Sequence, residues 1–124
     1  MSLILIIEDN ENNLKLVRDV LQIKGHTTLE AGTAEDGLKI AFERKPALVL
    51  MDIQLPGMSG IDALKALRAD PATAAIPVVA ITASVMKEAR RDIVSAGFND
   101  LIEKPLKLKT LLDTVQRALK ATGT

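Results

Sequence analysis

Short apolar runs punctuate the chain at 3–7, 48–51, 78–81 and, more weakly, at 27–29 and 101–102. Their lengths suit strands rather than helices. The runs "LILII", "LVLM" and "VVAI" lack the polar alternation of a half-exposed strand, which is the pattern of parallel strands covered on both faces. Amphipathic segments lie between them. Leu14, Val17 and Leu21 share one helical face, as do Leu38, Ala41 and Phe42, and then Ile61, Leu64 and Leu67. A fourth stripe carries Met86, Ala89, Ile93 and Ala96, and a fifth, the clearest, carries Leu108, Leu111, Leu112, Val115 and Leu119. Asn10 and Thr33 stand where helices begin and offer cap oxygens, Gly25 and Gly97 stand where helices end, and Pro46 and Pro77 come just ahead of strands. The pattern predicts an α/β protein of five β-α units: an open five-stranded parallel sheet in the order 2-1-3-4-5, with helices on both faces.

In such a sheet the ligand crevice lies beyond the carboxyl ends of the strands, where the strand order reverses, here between the first and third strands. The residues at those ends are therefore informative. The first strand ends in Glu8-Asp9, the third in Asp52, the fourth in Thr82 and the fifth in Lys104-Pro105. Three carboxylates, a hydroxyl and an amine, distant in sequence, are expected to converge there.

Composition narrows what the convergence can serve. With 124 residues, 48% of them apolar, the chain suits one domain over 1–124. Lys plus Arg and Asp plus Glu are both 16, and no basic run appears, so direct nucleic-acid binding is not expected. Cysteine is absent, which removes disulfides, thiolate catalysis and zinc–thiolate sites and fits a reducing, cytoplasmic location. No apolar run approaches the roughly 20 residues of a membrane-spanning helix. Met1-Ser2-Leu3 suits a native start and a start placed before an excised domain equally.

Two adjacent carboxylates at the end of a buried strand repel each other, and each is costly to bury without a partner. Glu8, Asp9 and Asp52 together make a hard-oxygen site that suits Mg²⁺. For Glu8 or Asp9 alone, a helix N-terminal cap is an equal alternative. Asp52, in "LVLMDIQLPGMSG", is either a strand-ending loop residue or a nucleophile, since a carboxylate attacks phosphorus when a cation offsets the repulsion of the two anions. Thr82 is either an ordinary β-branched strand residue or a hydroxyl for a phosphoryl oxygen. Lys104 is either a solvated cation or a point charge for the same group. Pro105 favours the second reading, because a cis Lys104-Pro105 bond would fix where the amine points. His26, the lone histidine, precedes the second strand and is expected at the surface. In the turn "LPGMSG", Gly57 and Gly60 are expected to supply backbone freedom.

"EDN", "LMDIQLPGMSG", "VVAITA" and "EKP", in this order and at this spacing, resemble the receiver domain of bacterial two-component response regulators over essentially the whole chain. The similarity is to stand-alone receivers of cell-cycle phosphorelays and to receivers of hybrid histidine kinases. The resemblance implies that Asp52 accepts a phosphoryl group from a histidine kinase or a histidine phosphotransfer protein. It also implies self-catalysed phosphorylation and dephosphorylation rather than conventional enzyme turnover. Asp9, Asp52 and the backbone carbonyl of Gln54 would ligate Mg²⁺, Glu8 would hold a metal-bound water, and Thr82 and Lys104 would grip the phosphoryl oxygens. A downstream protein would read the change through the face made by the fourth helix, fifth strand and fifth helix, with Lys87, Arg90 and Arg91 on the exposed side of that fourth helix. One position departs from the pattern: three residues before the lysine, where the family commonly has an aromatic, this chain has Leu101, and it contains no tyrosine.

Other functions share the flavodoxin-like (βα)5 topology, so fold alone does not decide. A flavodoxin-like electron carrier needs a phosphate-cradling loop after the first strand and aromatic rings for the flavin, but Glu8-Asp9 stand there and Trp and Tyr are absent. A Mg²⁺-dependent aspartyl-phosphate phosphatase needs a second acid two residues after the nucleophile and a cap over the substrate, but Gln54 stands there and the chain is short. A partner-binding pseudo-receiver would have no use for Asp52, Thr82 and Lys104 together.

Overall fold

The computed structural model describes residues 2–55, 57–83 and 87–120, with side chains of 87–90 outside the description. Strands and helices alternate: β1 Leu3–Ile7, α1 Glu11–Ile23, β2 Thr27–Ala31, α2 Ala34–Arg44, β3 Leu48–Asp52, α3 Gly60–Ala69, β4 Val78–Thr82, α4 Lys87–Ala96, β5 Asp100–Glu103 and α5 Leu108–Lys120. The strands form one parallel sheet in the order β2-β1-β3-β4-β5, as the pattern predicts. β3 and β4 each run one residue further than their apolar runs, so Asp52 and Thr82 are the last residues of strands. Cross-strand pairing sets that length: Asp52 pairs with Ile81, and Thr82 with Glu103.

Each face of the sheet has its own core. On one, Ile4, Ile6, Leu50 and Ile81 meet Val17 and Leu21 of α1 and Leu111 and Val115 of α5. On the other, Leu5, Ile7, Val49 and Met51 meet Leu38 of α2, Leu64 and Leu67 of α3 and Ile93 of α4. Strand residues alternate between the two cores, which is why β1, β3 and β4 need apolar residues at every position before the polar ends of β3 and β4. Truncating one of these fully buried leucines or isoleucines to Ala costs about 2–5 kcal/mol.

Two apolar positions assigned to helical faces lie at the surface. Phe42 is 37% exposed, because α2 packs through the small residues Ala34, Gly37 and Ala41 and sits close to the sheet; a Cβ at Gly37 would collide with Ile7. Leu108 is 56% exposed: it opens α5, ahead of the helical turn that Leu111 seats against the sheet. Met86 and the side chain of Ala89 lie outside the described residues.

The ends behave as their sequence predicts. Asn10 Oδ1 accepts the Asn13 N–H at 3.1 Å and Thr33 Oγ1 accepts the Asp36 N–H at 3.1 Å, while Gly25 and Gly97 take positive φ after α1 and α4. Arg68 of α3 adds a staple with no counterpart in the apolar pattern. Its guanidinium donates to the carbonyls of Ala74 and Ile76 at 3.1 and 2.6 Å and to Asn99 Oδ1 at 2.8 Å, and that same Oδ1 accepts the Val78 N–H at 2.8 Å. One side chain thus joins α3, the approach to β4 and the approach to β5.

Candidate functional site

β1, β3, β4 and β5 deliver their C-terminal residues to one crevice at the point where strand order reverses. The Glu8 N–H donates to Ala31 O at 3.0 Å, which carries the β1–β2 ladder one residue beyond β1. Glu8 therefore stays inside the rim of the sheet, 1% exposed, while Asp9 turns to solvent. Asp52 is 2% exposed at the end of β3. Carboxylate oxygens of Glu8, Asp9 and Asp52 lie within 4.8 Å of one another. The helix-cap alternative for Glu8-Asp9 falls to Asn10, which performs that task itself.

Both oxygens of Asp52 are engaged. Oδ1 accepts the backbone N–H of Gln54 at 2.8 Å, and Oδ2 accepts from Lys104 Nζ at 2.7 Å. Lys104 reaches this point because its own N–H donates to Thr82 O at 2.8 Å, fixing it at the end of β5; the Lys104-Pro105 peptide is cis. Thr82 is fully buried at the end of β4, the strand next to Asp52. Four separated motifs of the sequence thus meet as expected.

The two oxygens of Glu8 differ. Oε1 accepts the Asn10 N–H at 3.1 Å. Oε2 is buried without a hydrogen bond, and Lys104 Nζ stands 3.6 Å from it. Burial pushes the Glu8 carboxyl up to about 7; the Asn10 N–H opposes the rise, the nearby Asp52 adds to it and the Lys104 charge offsets part of it. For Lys104, burial acts to lower the ammonium, but the hydrogen bond and charge of Asp52, with Glu8 behind them, outweigh it and hold Lys104 above its ordinary value.

An orphaned buried oxygen, clustered with two more carboxylates, is the donor set of a hard, partly hydrated divalent cation. Mg²⁺ fits it: the three carboxylates would supply the charge and hard oxygen ligands that such an ion takes. The Asp52 carboxylate meanwhile lies between the Lys104 ammonium and the Gln54 N–H.

A model of the response regulator receiver domain matches residues 4–116. The chain belongs to this receiver family. It is 38% identical over 116 residues to the polar-differentiation response regulator DivK of Brucella anthropi, covering 94% of each chain, and equally similar to DivK of Brucella ovis. Among solved structures it resembles the receiver domain of the sensor histidine kinase PA1611 of Pseudomonas aeruginosa, which has a magnesium ion coordinated in its active-site cleft: TM-score 0.88, 28% identity, 96% of this chain and 98% of that one. It also resembles NtrX of Brucella abortus in complex with ADP, with TM-score 0.90 and 31% identity, covering 98% of this chain and 28% of that one. Receiver topology and two-component membership thus agree with the fold and with the four motifs.

Other expected residues fall as follows. The Gln54 N–H holds Asp52 while its side chain is exposed. His26, expected at the surface, is half-buried: its Nδ1 accepts the Ser2 N–H at 3.3 Å, just before β2 and so at the end of the sheet opposite the carboxylates. Leu101 is half-buried against the α2–α3–α4 core and lines a groove of about 610 Å³ with Glu103, Lys104, Pro105 and Lys107. Arg91 is exposed on α4, whereas the side chains of Lys87 and Arg90 lie outside the described residues. Among the described residues, no helix is long and apolar enough to cross a membrane. Sequence reasoning missed Asn10 and Gln54 as amide donors to the carboxylates, because a backbone N–H leaves no trace in residue type.

Proposed function

We propose that the chain works as one phospho-accepting receiver unit of a two-component or phosphorelay system, with Asp52 as the acceptor. A carboxylate oxygen of Asp52 attacks the phosphorus of a phosphohistidine on a histidine kinase or phosphotransfer protein. The phosphorus–nitrogen bond breaks, the imidazole leaves with the bonding pair, and Asp52 carries an acyl phosphate. Asp9, Asp52 and the Gln54 carbonyl would hold Mg²⁺ directly, and Glu8 would hold it less directly. When bound, the ion supplies the positive charge that lets two anions approach. Lys104 shifts from Asp52 Oδ2 to a phosphoryl oxygen, and Thr82 takes another.

The observation that carries this reading is Asp52 itself: buried at a strand end, bonded to Lys104 at 2.7 Å and clustered with Glu8 and Asp9. The output belongs to the face made by α4, β5 and α5. Its support is that Lys104, bonded to the acceptor on one side, lines the groove beside Leu101 on the other. Incubation with acetyl phosphate and Mg²⁺ is expected to add one phosphoryl mass, labile to hydroxylamine. An Asp52→Asn protein that still gains it overturns the assignment.

A further inference from the structure

We propose that Gly60 is a positioning residue for the metal side of the site, acting through Ile53 and Gln54; this rests on the receiver chemistry proposed above. Gly60 is the first residue of α3 and has no positive φ, so its need is space, not backbone freedom. That contrasts with Gly57 in the same turn, whose φ of 81° is the left-handed conformation glycine favours.

A Cβ at position 60 would stand 2.7 Å from Ile53 Cα and 3.0 Å from both its Cβ and its Cγ2. The obstacle is main chain, which cannot rotate away as a side-chain tip can. Ile53 is also held from the other side, since its N–H donates to Ile81 O on β4 at 3.1 Å. The start of α3 is held in turn by Ser59, whose Oγ accepts the Asp62 N–H at 3.2 Å. Ile53 stands between Asp52 and Gln54. Its place determines whether the Gln54 N–H meets Asp52 Oδ1 at 2.8 Å and where the Gln54 carbonyl lies. Closing α3 onto Ile53 without a side chain between them therefore sets the geometry of the Gln54 peptide.

A methyl group at 60 pushes α3 and Ile53 apart and moves that peptide relative to Asp52. Calorimetric titration of Mg²⁺ into Gly60→Ala is expected to show a dissociation constant raised on the order of tenfold, the range typical of groups that orient metal ligands. In acetyl phosphate reactions the half-saturating Mg²⁺ concentration is expected to rise in step. If Gly60→Ala does not fold, Ser59→Ala loosens the same start of α3 without adding an atom and is expected to raise the Mg²⁺ dissociation constant roughly threefold, since only part of a cap's worth reaches the turn. A folded Gly60→Ala protein, or failing that Ser59→Ala, that binds Mg²⁺ as wild type does overturns the role of Gly60 alone. A wild-type protein that neither binds Mg²⁺ nor takes a phosphoryl group overturns the receiver chemistry and this inference together.

Discussion

Glu8 makes metal-free stability depend on pH in an unusual direction. Its carboxyl is raised from 4.5 to about 7, chiefly by burial, so the folded protein holds a proton there that the unfolded chain releases. The stability from that proton is fully present below about 4.5 and is lost as pH rises to about 7. At about 1.36 kcal/mol per unit, the loss has a ceiling of about 3 kcal/mol. Replacing Glu8 by Gln keeps an acceptor for the Asn10 N–H and removes the titration. His26 works the other way: burial lowers its imidazole below 6.5, so its contribution grows as pH rises through that range. The difference between wild type and Glu8→Gln cancels His26 and isolates Glu8. Urea unfolding in EDTA at a series of pH values from 4.5 to 8 is the assay, with two-state behaviour checked at each. Glu8→Gln is expected to gain on wild type from pH 4.5 to about 7 and to level off above it, and Mg²⁺, which favours the ionised carboxyl, to bind more tightly as pH rises through about 7. Parallel pH profiles for the two proteins would refute the reasoning.

Mg²⁺ affinity should fall more for Asp9→Asn than for Glu8→Gln, because a direct ligand loses more than a water-mediated one; equal losses by calorimetry would count against the ligand roles. Arg68→Ala should lower stability by about 2–4 kcal/mol in urea melts, since it strips a charged donor from Ala74, Ile76 and Asn99; a change below about 0.5 kcal/mol would show that the staple is idle. Beryllofluoride with Mg²⁺ should shift amide resonances chiefly at 82–91 and 99–104. Leu101 has no phenol to hydrogen-bond in one state, so weaker shifts toward the same positions are expected before activation, and shifts confined to the turn after Asp52 would refute this route.

The order of elements and the places of the reactive groups were legible in the chain because both are local. Apolar runs of strand length and stripes at helical spacing follow from backbone geometry, and a polar residue directly after such a run must lie at a strand end. The chain alone thus places Glu8, Asp52, Thr82 and Lys104 at one end of the sheet. The same periodicity says which face of a helix is apolar, but not how closely it lies on the sheet or how far along it the sheet extends. Phe42 and Leu108 fall on apolar helical stripes and yet stand at the surface. Adjacent carboxylates look alike in sequence, yet the bond from the Glu8 N–H to Ala31 O draws Glu8 into the rim and leaves Asp9 in solvent. Burial then moves the Glu8 proton. Gly60 carries no local signal that separates it from Gly57. Its reason is the main chain of Ile53, brought against it only when α3 closes onto the end of β3. Register, depth of burial and close approach are properties of pairs of elements, so only the assembled sheet and helices decide them.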